Sequence, residues 1–316
     1  MEIIHLGFPF DPGALYGADR GKVIAIGYFD GVHLGHRNVI GRAVERAASA
    51  GRLSAVMTFH PHPKEVLGQG EQYVTSLTPA GEKLRRFAEL GVDIVYVVRF
   101  DMAFAALPPE SFVHDMLLPL RVEEAVVGFD FSFGSRGAGT PELLRKLAAP
   151  SMKVQVMEPL ELDGGKVSSS RIRAALEQGD VGRAARLLGR PYRISGTVVH
   201  GEGRGRTIGY PTANVEPDGA YVLPRLGVYA VSVESAGACF PAVMNVGVKP
   251  TFHESGVDPK LEAHLFGYEG DLYGSRVTLD FRAFLRAERK FGSVSELIEQ
   301  IGRDAEAARK LLEKAE

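Results

Sequence analysis

Gly27-Tyr28-Phe29-Asp30-Gly31-Val32-His33-Leu34-Gly35-His36 decides the fold of this chain. Before it runs Lys22-Val23-Ile24-Ala25-Ile26, a continuous apolar, β-branched stretch typical of a parallel strand buried on both faces. After it, Val39, Ile40, Ala43, Val44 and Ala47 recur at helical spacing. The ten residues are therefore a strand-to-helix turn, and open α/β sheets bind ligands beyond the carboxyl ends of their strands. Glycine lets the backbone approach a ligand closely. The helix start offers free N–H groups and a positive dipole end to a phosphate. Two histidines three apart share one helix face. These parts suit an anionic, phosphate-bearing substrate. Two other readings stay open at this point. One is a tight glycine turn with incidental histidines. The other is a metal site joining His33 and His36 to His60 or His62, although zinc sites usually show clearer ligand spacing.

At 316 residues the chain argues for two domains. Hydrophobic and charged contents of 45% and 24% are ordinary for a soluble globular protein. A net charge of −2 implies no strongly basic face and argues against a nucleic-acid partner. The single Cys239 excludes an internal disulfide and fits a reducing compartment. No apolar run approaches the roughly 20 residues of a membrane span. Met1–Phe10 lacks the basic-then-apolar pattern of a signal peptide. The expectation is a cytoplasmic protein with small-molecule partners, no nucleic acid and no membrane. Association into a homo-oligomer stays open.

Strand-like runs at Val23–Ile26, Leu53–Phe59, Asp93–Val98, Glu124–Val127 and Lys153–Met157 alternate with helical patterns near His36–Ala50, Pro79–Leu90, Pro109–Leu118 and Pro141–Ala148. Such alternation predicts a doubly wound parallel sheet, an α/β domain. Two more helices are expected near Ser169–Gln178 and Val181–Leu188. The second half changes character. Tyr192–His200, Gly227–Glu234, Phe240–Val246, Leu261–Phe266 and Arg276–Phe284 read as strands separated by Gly and Pro turns, which predicts an antiparallel barrel. Ser293 with Glu296 is a capping-box pattern opening a final helix. Its stripe Val294, Leu297, Ile298, Ile301, Ala305, Ala308 and Leu312 is assigned to core packing. The border falls near Gly189-Arg190-Pro191, with domains at 1–186 and 187–316.

Three further stretches belong with the histidine turn. Thr58-Phe59-His60-Pro61-His62-Pro63 ends the second strand. Gly128-Phe129-Asp130-Phe131-Ser132-Phe133-Gly134 ends the fourth; its phenylalanines at period two imply partial burial, and Asp130 between glycines favours a ligand loop. Val167-Ser168-Ser169-Ser170-Arg171-Ile172-Arg173 opens a helix, where hydroxyls, free N–H groups and an arginine clamp suit phosphate. A serine-capped helix with solvated arginines is the plainer alternative. In the second half, Gly201, Gly203, Gly205 and Gly209 form a flexible loop able to cradle phosphates, with Arg204 and Arg206 adding charge. Thr212 and Asn214 supply neutral oxygens suited to magnesium shared with ATP phosphates. Strand alternation places Glu262 and His264 on one face, where a carboxylate can deprotonate an attacking hydroxyl. A long hairpin turn and a solvated strand face are the bland counterparts.

In order and spacing the first-half motifs resemble the prokaryotic bifunctional riboflavin kinase and FMN adenylyltransferase family: Gly-x-Phe-Asp-Gly-Val-His-x-Gly-His, a Pro-His-Pro turn, Gly-x-Asp-Phe-x-Phe-Gly, and Ile-Ser-Ser-Thr-x-x-Arg. Ser170 stands where threonine is usual, and His60 stands where an acidic residue usually precedes Pro-His-Pro. The second half resembles the family's kinase domain through the Gly-rich loop, Pro211-Thr212-Ala213-Asn214, Asn245-Val246-Gly247-Val248-Lys249-Pro250-Thr251-Phe252, Glu262-Ala263-His264-Leu265, Asp271-Leu272-Tyr273-Gly274 and Arg289-Lys290-Phe291. The resemblance implies a nucleotidyltransferase domain followed by a six-stranded Greek-key barrel with a carboxyl-terminal helix. It implies phosphorylation of riboflavin to FMN and adenylylation of FMN to FAD, with ATP and Mg2+. By the same resemblance His33 and His36 stabilise the transition state at the α-phosphorus, around the turn residues Gly27, Phe29, Asp30 and Gly31. Ser168, Ser169 and Arg173 hold pyrophosphate, and Asp130 contacts nucleotide or flavin. Thr212 and Asn214 ligate magnesium, Glu262 is the base, the Gly201–Gly209 loop with Arg206 covers ATP, Asn245 belongs to the same site, and Arg286 and Phe291 border the flavin.

Overall fold

The computed structural model describes residues 1–68, 70, 73–201, 203–249 and 258–313. Pro250, Thr251 and Phe252 of the expected Asn245–Phe252 loop lie outside the described residues. The chain divides into two compact units, Met1–Ser168 and Ser169–Glu316. The helices Ser169–Glu177 and Val181–Leu188 go with the second unit, whereas the expected border at 186/187 placed the first of them and most of the other with the first domain. Within that second unit the Leu176 carbonyl accepts from Arg225 N–H at 2.8 Å.

In the first unit, β1 (Glu2–Leu6), β2 (Lys22–Ile26), β3 (Leu53–His60), β4 (Ile94–Arg99), β5 (Val122–Gly128) and β6 (Lys153–Met157) form one six-stranded sheet in the order β1-β4-β3-β2-β5-β6, parallel throughout. Both faces are covered, which is why Lys22–Ile26 carries no polar alternation. Ile24 and Ile26 join a core with Met57, Tyr96 and Phe112, while Val23 and Ala25 face Val39, Ile40, Ala43 and Ala47 of the helix Leu34–Ala50. Order reverses at β2, since β3 and β5 flank it on opposite sides. The histidine turn leaves β2 at that switch point, where such sheets open a crevice. The Thr58–Pro63 and Gly128–Gly134 stretches leave the neighbouring strands β3 and β5 at the same edge. The expected helix Pro109–Leu118 is a short turn, Pro109–Ser111, followed by a π-helical run, Phe112–Leu117.

In the second unit, β7 (Tyr192–Val199), β8 (Ala213–Pro217), β9 (Gly227–Ser235), β10 (Ala238–Lys249), β11 (Asp258–Leu265) and β12 (Arg276–Arg286) close a barrel in the order β10-β11-β8-β7-β12-β9, antiparallel at every pair. Tyr192, Tyr229, Leu279 and Phe281 fill its interior. The final helix Val294–Glu313 starts as expected: Ser293 Oγ accepts from Glu296 N–H, and the Glu296 carboxylate accepts from Gly292 N–H. Its apolar stripe divides in two. Ala308 and Leu312 pack with Val228, Val243 and Phe266, but Val294 is 62% exposed and Leu297 and Ile301 line a cavity. The amino-terminal half of the stripe is thus cavity wall and surface, not core.

Candidate active sites

The first site is built on a strained turn. Phe29 and Val32 have φ of 57° and 41°, values that cost a β-branched or bulky residue roughly 1–3 kcal/mol each. The conformation is held from several sides. The buried Asp30 carboxylate accepts from the N–H groups of Leu77 (2.8 Å) and Thr78 (3.3 Å). The Tyr28 carbonyl accepts from Thr58 Oγ1 at 3.0 Å and from Lys83 Nζ at 2.9 Å. Val32 N–H donates to the Phe29 carbonyl. Phe29 itself is buried and meets His36 edge-on.

His33 caps the following helix: its Nδ1 accepts from His36 N–H at 3.2 Å, so in the neutral ring the proton sits on Nε2. The His33 and His36 rings stack with centroids 3.5 Å apart and planes 17° apart. His36 Nδ1 is enclosed and has no hydrogen-bond partner among the described residues. Burial, then the charges of His33, Lys83 and Lys166, hold the His36 imidazole well below its ordinary pKa. Two stacked imidazoles at a helix start form a place that gains from an incoming anion.

The other stretches are placed as follows. His62 caps the turn Pro63–Val66 and lies 3.9 Å, centroid to centroid, from the Tyr28 ring. Asp130 Oδ2 pairs with Lys166 Nζ at 2.5 Å, and that ammonium also lies over the Phe129 ring. Gly128–Gly134 is a turn rather than a continued strand, because Phe131 N–H bonds back to the Gly128 carbonyl; Phe133 is buried, Phe131 stacks on it, and Phe129 is 40% exposed. No group of three or more His, Cys, Asp or Glu residues suited to a metal ion is found among the described residues, so the reading of His33, His36 and His60 or His62 as a metal site has no support. Ser168 closes the first unit, and Ser169 and Arg173 lie on the first helix of the second.

The second site is a cavity of about 330 Å³ in the barrel unit. Gly203, Gly205, Thr212, Asn214, Asn245, Glu262, His264, Arg286 and Phe291 all line it. Register explains the convergence: Asn214 on β8 is directly opposite Glu262 on β11, which is directly opposite Asn245 on β10. One row across three strands therefore presents two amides and a carboxylate on one face. His264 Nδ1 lies 2.8 Å from the Pro211 carbonyl, so this nitrogen carries the proton. Arg286 is fixed by Asp304, with Nη2 to Oδ2 at 2.7 Å, and Asn245 Nδ2 donates to Glu288 at 3.2 Å.

The expected flexible loop is instead a helical turn, Arg204–Thr207, entered through Gly203 at φ 69°. It packs hard against the oxygen donors. A Cβ on Gly201 would fall 2.2 Å from Asn214 Nδ2, and one on Gly205 would fall 2.3 Å from the Tyr210 carbonyl and 3.3 Å from Thr212 Oγ1. A second cavity of about 340 Å³ is lined by Arg206, Thr212, Tyr268, Asp271 and Tyr273 among others, and Thr212 borders both. The sequence reading missed Lys260, whose Nζ is 3.0 Å from Glu262 Oε2; its position two residues before Glu262 on a strand was the available signal. It also missed Lys83, which looks like one more charge on a helix.

A parallel sheet with a phosphate-ready turn at its switch point, and a barrel with a carboxylate–amide row beside a glycine turn, define a two-site enzyme of phosphate-group transfer. Residues 16–171 match the FAD synthetase family and residues 188–312 the riboflavin kinase family. The chain is 43% identical to the bifunctional riboflavin kinase/FMN adenylyltransferase of Bacillus subtilis, over 98% of this chain and 97% of that one. Identity to the protein of the same description from Listeria monocytogenes is 40%, over the full length of both, and to that of Escherichia coli 41%, over 92% of each. A crystal structure described as a macrolide-efflux protein from Streptococcus pneumoniae matches with a TM-score of 0.89 and 33% identity, covering 98% of this chain and 99% of that one. The chain belongs to the bifunctional riboflavin kinase/FMN adenylyltransferase family. Among the described residues no helix is long and apolar enough to cross a membrane.

Proposed function

We propose that the barrel unit phosphorylates riboflavin to FMN and that the parallel-sheet unit adenylylates FMN to FAD. The observation that carries this reading is the pairing of the two sites in one chain: a histidine turn at a sheet switch point and an Asn214–Glu262–Asn245 row in a barrel cavity.

In the kinase step Glu262 takes the proton of the riboflavin 5′-hydroxyl. The hydroxyl oxygen bonds to the γ-phosphorus of ATP, and ADP leaves. The flavin occupies the cavity bordered by Arg286, Phe291, Leu297 and Ile301, and ATP the cavity beyond Thr212, because donor and acceptor must meet at the border the two share. Gly201–Gly209 and Arg206 cover the nucleotide. The donor set fits Mg2+: neutral Thr212 and Asn214 oxygens beside the Glu262 carboxylate, too few for a protein cage and suited to an ion that takes its other ligands from phosphate and water. Thr212 and Asn214 would hold it, and bound magnesium neutralises and aligns the triphosphate.

In the adenylyl step an FMN phosphate oxygen bonds to the α-phosphorus of a second ATP and pyrophosphate leaves. His33, donating through Nε2, and His36 stabilise the charge that grows on the α-phosphate. Ser168, Ser169 and Arg173 hold the pyrophosphate, Gly27, Phe29, Asp30 and Gly31 shape the turn, and Asp130 contacts nucleotide or flavin. The enzyme works in the cytoplasm, where its substrates are small molecules. The test is incubation with riboflavin, ATP and Mg2+ followed by chromatography of the flavins. FMN appearing first and FAD later is the expected result; FMN alone overturns the adenylyltransferase assignment, and no conversion overturns both.

A further inference from the structure

Lys83 is only 5% exposed, on the helix Ala80–Glu89, behind the histidine turn. Burying an ammonium costs several kcal/mol unless something uses it, and a helix that only needed to pack would place an apolar residue there. Its Nζ donates to the Tyr28 carbonyl at 2.9 Å and lies 3.9 Å from the centroid of the Tyr28 ring. That carbonyl belongs to the peptide entering Phe29, the first of the two positive-φ residues. The Tyr28 ring is held on by His62, from the Pro61-His62-Pro63 turn. Asp30, inside the same turn, is anchored to Leu77 and Thr78, a few residues ahead of Lys83. The lysine therefore ties together two motifs and the segment in front of its own helix.

We propose that Lys83 is a positioning residue of the adenylyl-transfer site: its buried ammonium clamps the Tyr28 carbonyl and so holds the strained Phe29–Val32 turn that presents His33 and His36 to the phosphates. The inference rests on the assignment of those histidines to adenylyl transfer. Strain of this kind persists only where the surroundings over-determine it, and the clamp, with Thr58, supplies that at Tyr28. The clamp is strongest when Lys83 is charged, because a cationic donor binds a carbonyl more tightly than a neutral amine. Burial lowers Lys83 to about 8, with the Asp30 carboxylate opposing that shift. The other groups facing it are the Tyr28 ring, the neutral Thr58 hydroxyl on β3, and His36, whose basicity Lys83 lowers.

The experiment compares wild type, Lys83→Met, Lys83→Arg and, as a control, His36→Ala, each assayed for FAD formation from FMN and for FMN formation from riboflavin. Misplacement of catalytic groups by about an ångström costs up to about 100-fold. Lys83→Met is expected to lower kcat for FAD formation 10- to 100-fold with KM for FMN and ATP little changed. Kinase activity in the same molecules stays at the wild-type level and reports an intact barrel unit, while a first-unit thermal transition close to that of wild type reports that the unit carrying Lys83 is folded. Wild-type kcat for FAD formation is expected to fall as pH rises through about 8. In Lys83→Arg, whose guanidinium stays charged, activity is partly restored and that fall is absent. FAD formation by Lys83→Met within twofold of wild type overturns the proposal. If His36→Ala still makes FAD, the site assignment itself fails; if it does not and Lys83→Met does, only the role of Lys83 fails.

Discussion

Glu262 and Asn214 stand directly opposite each other across the β8–β11 pair, and Asn245 stands opposite Glu262 on its other side. A carboxylate and two amides thus share one rigid row of a closed barrel. Their separation is set by strand spacing rather than by loop conformation, the kind of support that keeps reacting groups within catalytic tolerance.

Glu262→Gln keeps the shape of that row and removes the proposed base. FMN formation is expected to drop by about 10² to 10⁴ in kcat, with riboflavin still bound. FAD formation from supplied FMN stays at the wild-type level. Steady-state assays of the two reactions on one preparation check both halves, and a kinase loss below about tenfold would remove Glu262 from the role of base.

The two tight glycines separate function from stability. In Gly201→Ala the new Cβ meets the end of the Asn214 side chain, which can swing away. Melting temperature should hardly move, while the Mg2+ concentration for half-maximal kinase activity rises and kcat falls about tenfold, as expected for a displaced ligand or its neighbour. In Gly205→Ala the Cβ meets the Tyr210 carbonyl, and backbone must shift. That variant should lose both activity and about 1–3 kcal/mol of stability. Equal effects in the two would mean that Asn214 is no magnesium donor.

The switch-point turn was legible because Lys22–Ile26 is apolar without alternation and a helical pattern follows Gly35 at once. Two strands were not. Glu2–Leu6 is a short edge strand pairing only with β4, and its residues are largely exposed, so no buried pattern marks it. Ala213–Pro217 ends in a proline and was absorbed into the Pro211–Asn214 motif. Among site residues, Glu262, His264, Thr212 and Asn214 announced themselves by motif and alternation. Lys83 did not, since its importance lies in a contact with a carbonyl 55 positions earlier. The strain at Phe29 and Val32 was equally hidden, because neighbouring glycines are where positive φ is expected.

His36 gives the first unit an acid sensitivity. Its folded pKa lies well below 6.5, chiefly through burial. Below pH 6.5 the unfolded chain binds a proton that the folded chain does not, so stability falls as pH drops through and below that value. His36→Asn removes the titrating group. Thermal unfolding of the first unit followed from pH 7.5 to 5 should show a smaller decline for the variant than for wild type. Saturating ATP should lessen the wild-type decline, because phosphate favours the imidazolium. A parallel decline in both proteins would mean that other groups govern it.

Arg286 and Asp304 join the end of β12 to the final helix through three nitrogen–oxygen contacts of 2.7 to 3.0 Å, and Gln300 on the same helix donates to Asp304 at 2.8 Å. Asp304 is buried, while the same helix gives Leu297 and Ile301 to the cavity proposed for the flavin. The pair therefore fixes the helix that forms one wall. Asp304→Asn leaves the half-buried guanidinium without its counter-charge and is expected to cost about 2–4 kcal/mol, read by calorimetry. With the wall loosened, KM for riboflavin should rise about tenfold while kcat at saturation changes less, because Glu262 and the β8–β11 row stand on the barrel itself. An unchanged riboflavin KM alongside the stability loss would place the flavin away from this wall, toward the Tyr268–Tyr273 cavity, and would reverse the assignment of the two cavities.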